Sequence, residues 1–113
     1  MCQDNPVSVI LSDLIASPKK FDETVVKVQG VLVIENQPRH APLVILYQGQ
    51  EDARDHSTKN GILVIPNSKM IHGQEQINRR RVSVTGTFYA VQGPSGSYSP
   101  LIKSIRKCVL LPD

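Results

Sequence analysis

A Val-x-Val-x-Gly string followed by an apolar residue occurs twice in this chain, and no other feature limits its fold so tightly. Residues 24–34 read TVVKVQGVLVI and residues 81–91 read RVSVTGTFYAV. In both, β-branched residues recur at every second position, the signature of a strand with two different faces. A glycine in mid-strand weakens the strand unless the backbone bends or is approached closely there. Two strands bent at Gly30 and Gly86 therefore predict a small, strongly curved sheet that closes on itself.

The rest of the chain fits one such sheet. With 113 residues it has material for one hydrophobic core. Two Phe, three Tyr and no Trp leave that core to Val, Ile and Leu and leave few rings for any stacking function. Ser8 is expected to cap a helix to Ser17 that presents Ile10, Leu11, Leu14 and Ile15 on one face, and Pro18 ends it. The first strand alternates up to Gly30 and is apolar on both faces afterwards. Residues 36–42 read as a loop, residues 43–47 as the second strand, and residues 48–61 as a long, charged, solvated loop. The run 62–65 (ILVI) is a buried third strand, residues 67–78 hold a turn of helix around Met70 and Ile71 and then a loop, and residues 82–91 alternate cleanly as the fourth strand. Turn residues 92–97 lead into residues 98–111, which are expected to return as the fifth strand although their apolar positions also fit a helical period.

The segment LIASPKKFD (residues 14–22), followed by Val26-x-Val28-x-Gly30, resembles small bacterial domains of the oligonucleotide/oligosaccharide-binding (OB) type, a family of uncharacterised function. Their pattern is a Leu-Ile-x-x-Pro helix end, an aromatic-Asp-Gly turn and a Val-x-Val-x-Gly strand. Val82-x-Val84-x-Gly86-Thr87-Phe88 is similar to their fourth strand. The resemblance implies an all-β fold, a five-stranded OB-like Greek-key barrel with a short N-terminal helix, and no particular activity. The chain departs from the pattern at Glu23, which stands where the turn usually has glycine.

Residues 1–7 are expected to form a flexible polar segment and residues 8–113 a single OB-like domain. The start MCQDNP is similar to a mature bacterial lipoprotein with Cys2 as its lipid-bearing residue. Localisation is then either cytoplasmic or lipid-anchored in the envelope. No stretch approaches the ~20 apolar residues of a transmembrane helix. Cys2 and Cys108 have no metal-ligand spacing and read as two separate thiols, with a long-range disulfide as the alternative.

Nothing in the sequence assembles a nucleophile, an acid-base pair or a metal set, so a non-enzymatic protein without cofactor or metal is expected. His40, His56 and His72 fall singly in loops. Glu51, Asp52 and Asp55 lack the regular spacing of a calcium loop, and Ser95 and Ser97 lie among turn glycines. A net charge of +3 tolerates an anionic partner without demanding one. Candidate residues for single-stranded nucleic acid are the cations Arg79, Arg80, Arg81, Lys103, Arg106 and Lys107 and the rings Tyr47, Tyr89 and Tyr98. The same arginines also read as a solvated strand entry, and the tyrosines as the rim of the core. The alternative partner is an envelope protein held in the barrel groove or along a strand edge.

Overall fold

The structure, a computed structural model, describes residues 6–55, 60–94, 96 and 98–112. Its elements in chain order are β1 (Val7–Val9), α1 (Leu11–Ala16), a 3-10 turn (Pro18–Phe21), β2 (Thr24–Gln37), β3 (His40–Tyr47), α2 (Gln50–Asp55), β4 (Gly61–Val64), α3 (Ser68–His72), α4 (Gln74–Ile77), β5 (Arg80–Gln92) and β6 (Tyr98–Leu110). Strand β2 pairs antiparallel with both β3 and β5, β3 pairs with β4, β4 runs parallel to β6, and β6 pairs with β5. The five strands β2–β3–β4–β6–β5 thus close back on β2, a Greek-key barrel of OB type.

The two glycine strings are each other's partners. They run antiparallel, with Val28 opposite Val84 and Val26 opposite Gly86. Their inward rows, Val26, Val28 and Leu32 on β2 and Val82, Val84 and Phe88 on β5, are fully buried in one cluster with Val44, Leu46, Ile62 and Ile102. At Gly30 the barrel wall folds so sharply that an added Cβ would collide with the Tyr47 carbonyl oxygen. Gly86 faces an irregularity in β6. Thr85 pairs with Lys107 and Thr87 with Lys103, so β6 carries two more residues than β5 across this stretch. Ser104 takes a left-handed φ of 54° there, and the Ile105 side chain tucks over Gly86, 2.8 Å from where a Cβ would stand.

Helix α1 touches both β2 and β4, strands that are not neighbours in the barrel, so it spans a barrel opening. Leu11 and Leu14 are its buried residues, and Met70 of α3 enters the same core. Asn67 caps α3 by accepting a 2.8 Å hydrogen bond from the Met70 amide at its Oδ1.

Several expectations need correction. Ser8 does not cap a helix: Val7–Val9 form β1, parallel to the free edge of β2, because the β-branched Val-Ser-Val run gains ladder hydrogen bonds there. The helix starts at Leu11, and Ile10 at its N-cap offers no side-chain bond. The loop expected at 36–42 is a hairpin of β2 and β3 turning at Pro38 and Arg39, with Arg39 at φ 65°. The charged segment after β3 is not a plain loop, since Gln50–Asp55 is helical and buries Ala53. The stretch after Met70 continues into a second short helix, α4. The last segment, by contrast, is the expected strand, throughout Tyr98–Leu110.

Glu23 adopts φ 62°, the left-handed conformation a glycine would supply at this turn, and its amide donates to the Phe88 carbonyl at 2.7 Å. Asp22 completes the turn, its Oδ1 accepting from the Ala90 amide at 2.9 Å. A left-handed non-glycine residue costs ~1–2 kcal/mol, of which the looser unfolded chain of a glycine variant returns about half. Glu23→Gly is therefore expected to raise stability by about 0.5 kcal/mol in urea melts, and a loss of stability would contradict this account of the turn.

Candidate nucleic-acid interface

Alternation on the barrel strands fixes which side chains face outward. On β2 these are Lys27, Gln29, Val31, Val33 and Glu35, and on β5 they are Arg81, Ser83, Thr85, Thr87 and Tyr89. The outer surface divides into two unlike parts. Over β2 and β3, Val31, Val33 and Tyr47 form a second apolar cluster with Ala53 of α2. Over β1, β2, β5 and β6 the outer surface is polar and basic.

Cross-strand register organises the basic part into rows. Ser8, Lys27, Thr85 and Lys107 lie side by side on the four strands, and Gln29, Ser83 and Val109 form the next row. Two open depressions meet along β2. One, of about 540 Å³, is lined by Ser8, Lys27, Gln29, Gln48 and Arg81 together with residues 9–11. The other, of about 460 Å³, is lined by Lys27, Gln29, Ser83, Thr85, Arg106 and Lys107 with Pro6, Val109 and Leu111. Lys27 and Gln29 belong to both, and neither lining includes an Asp or Glu among the described residues. Four cations from three strands therefore line depressions whose described residues include no carboxylate, an arrangement suited to a chain of phosphates.

The candidates named from sequence are distributed unevenly over this surface. Arg79, Arg80 and Arg81 are all exposed but do not act as one unit. Arg79 is a turn residue at φ 63° whose amide donates to the Leu32 carbonyl at 2.6 Å. Arg80 and Arg81, adjacent on a strand, point to opposite sides, and Arg81 alone joins the basic face. Tyr47 is 1% exposed beneath α2, so its ring is closed to a base in this conformation. Burial, followed by the nearby Glu35 carboxylate, pushes the Tyr47 phenol above its ordinary range, and Arg79 pulls it part of the way back.

Tyr89 is half-buried on the outer row of β5, and the Lys103 Nζ sits 4.8 Å from its ring centroid. A base stacking on that side of the ring would displace the ammonium. Tyr98 opens β6 opposite Gln92, and its side chain lies outside what is described. Arg106 faces the second depression. Lys27, Gln29 and Ser83 were absent from the sequence-based set. The available signal was their alternation against Val26, Val28, Val82 and Val84, which places them outward together once the two strings are paired.

Among the described residues no three His, Cys, Asp or Glu side chains come close enough to hold a metal ion. His40 opens β3 and His72 ends α3, both exposed. His56, Ser95, Ser97, Cys2 and the expected flexible segment up to residue 5 lie outside the described residues. Cys108 is half-buried beside the core, and burial pushes its thiol up to about 11, so it stays protonated at neutral pH. Among the described residues no helix is long and apolar enough to cross a membrane.

No family model matches this chain, and no curated protein matches it. Among solved structures, it is similar to a crystal structure described as an aspartyl-tRNA synthetase from Leishmania major Friedlin, with a TM-score of 0.58. The fold is OB-like. Identity to that protein is 12%, and the match covers 100% of this chain but only 22% of the other. At this identity the likeness concerns the barrel, and the residues of any site must be judged on this chain's own surface.

Proposed function

We propose that this OB-like domain is a non-enzymatic module that binds single-stranded nucleic acid along the outer face of β2, β5 and β6. The observation that carries the reading is the basic face, where Lys27, Arg81, Arg106 and Lys107 line two adjoining depressions whose described residues include no Asp or Glu. The similarity to part of an aspartyl-tRNA synthetase, a protein whose name refers to tRNA, supports the same class of ligand.

From Arg81 to Tyr89 the outer row of β5 extends about 26 Å at ~3.3 Å per residue. That length suits a short single strand, since OB domains engage ~4–16 nucleotides. Phosphates track past Arg81 and between Lys27 and Lys107. Tyr89 and Lys103 then meet a base and the phosphate next to it at the far end. This face differs from the second- and third-strand face on which OB domains commonly hold oligonucleotides. In this chain the corresponding surface of β3 is apolar and partly covered by α2.

Fluorescence anisotropy with a labelled single strand of about ten nucleotides, at several salt concentrations, tests the reading. Affinity is expected to fall steeply with salt. The triple variant Lys27→Gln, Arg81→Gln, Lys107→Gln should lower the log-log salt slope by ~2, because each lost phosphate contact removes ~0.7 of a released counterion. Tyr89→Ala should weaken binding by about tenfold without changing the slope, as expected for the loss of one stacked base. Absence of binding at low salt would remove the nucleic-acid reading.

A further inference from the structure

Ser83 Oγ is buried and has no hydrogen-bond partner, the one such side-chain oxygen or nitrogen among the described residues. Buried hydroxyls are nearly always paired, and an unpaired one in a native chain needs a reason. The side chain belongs to the outward row of β5, since Val82 and Val84 on either side of it fill the core. It is 4% exposed, flanked by Gln29 on β2 and Val109 on β6, and it lies in the wall of the 460 Å³ depression.

One row along β5, Thr85 stands between Lys27 and Lys107. Adjacent strands lie ~4.8 Å apart, so the two lysine backbones are about 10 Å apart astride β5. Two lysines on strands this close, with no carboxylate among the described residues that line the depression, favour a shared anion between their flexible ammonium groups. Ser83 lines the same depression, and its hydroxyl, covered in the free chain, becomes a donor there once a ligand uncovers it.

The geometry points to a phosphate-binding site in which the Ser83 hydroxyl donates to a phosphate oxygen while Lys27 and Lys107 neutralise its charge from the two sides. The site rests on the nucleic-acid reading only for the source of that phosphate, which is either the backbone of a single strand or a small phosphorylated molecule. No bond is made or broken. Binding satisfies a hydroxyl that the unliganded chain leaves unpaired, so Ser83 is kept at a cost to the stability of the free domain.

Ser83→Ala separates these roles. The variant should melt at the same temperature as the native chain or above it, because it loses no internal hydrogen bond. Its affinity for the labelled single strand should nevertheless drop about tenfold, the loss expected for one hydrogen bond to a charged group. The salt slope should not change, because no cation is removed, and Ser83→Thr should recover part of the affinity. In parallel, pyrophosphate is titrated into the ¹⁵N-labelled full chain while the Ser83 and Thr85 amide signals are followed.

If the native chain binds the strand and Ser83→Ala binds it equally well, the phosphate site is overturned while the nucleic-acid reading stands. If the strand does not bind but pyrophosphate moves both amides in the native chain and neither in Ser83→Ala, the site holds a small phosphorylated ligand and the nucleic-acid reading falls. If neither ligand binds, both are overturned.

Discussion

Replacing Gly30 by valine is expected to cost about 3 kcal/mol or more, beyond the range of ordinary surface changes. The reason is local and geometric. Any Cβ at this position runs into the Tyr47 carbonyl oxygen and also lies only 3.0 Å from the Leu46 Cγ. The carbonyl is backbone, fixed where Tyr47 pairs with Val31 in the β2–β3 ladder, so it cannot swing aside as a flexible side chain would. Relief requires opening the bend, which would separate β3 from β2 at the place where the barrel turns its corner. Gly30→Ala should already be costly for the same reason. Gly49→Ala provides the control, because nothing lies within 4 Å of a Cβ there, and it should stay within about 0.5 kcal/mol of the native chain. Urea melts that place Gly30→Val beside Gly49→Ala would show that the close approach does not exist.

Leu14→Ala is expected to cost ~2–5 kcal/mol, the range for a buried leucine truncated without collapse of its site. Leu14 is 0% exposed and belongs to the main core cluster although it comes from outside the barrel. Helix α1 has six residues and no side-chain cap, too little to be stable alone, so its order depends on the docking of Leu11 and Leu14. Truncating Leu14 therefore both leaves a void and weakens the attachment of the helix. A urea midpoint close to the native value would mean that α1 is not held by this contact.

The barrel was legible in the sequence to the extent that its strands carried an unbroken period of two. The strings around Gly30 and Gly86 identified β2 and β5, and the apolar run 62–65 located β4, although only Ile62 and Val64 are buried while Leu63 and Ile65 are exposed. What the strings could not reveal was that they pair with each other, because an antiparallel register is a long-range relation that neither string encodes alone. The same gap hid the basic face. Lys27 and Lys107 are far apart in sequence and converge only through Thr85 between them.

Arg79 to Arg81, by contrast, looked like a unit because they are consecutive, yet consecutive strand residues diverge. The left-handed turn at Arg79 separates them further. Two elements escaped for want of pattern. Strand β1 is three residues long and owes its conformation to the edge of β2. Helix α2 shows a single small apolar residue, Ala53, to the surface it covers. That residue nevertheless helps to make the β2–β3 exterior apolar and leaves the β2–β5–β6 exterior as the charged alternative.

The most direct test of the account is a map of amide chemical-shift changes as a short single-stranded oligonucleotide is titrated into the ¹⁵N-labelled chain at low salt. The account predicts that the largest changes cluster at Lys27, Gln29, Arg81, Ser83, Thr85 and Lys107, with little change at Ile45 and Leu63 on the outer side of β3 and β4. Changes centred on Ile45 and Leu63, or none at all, would contradict it.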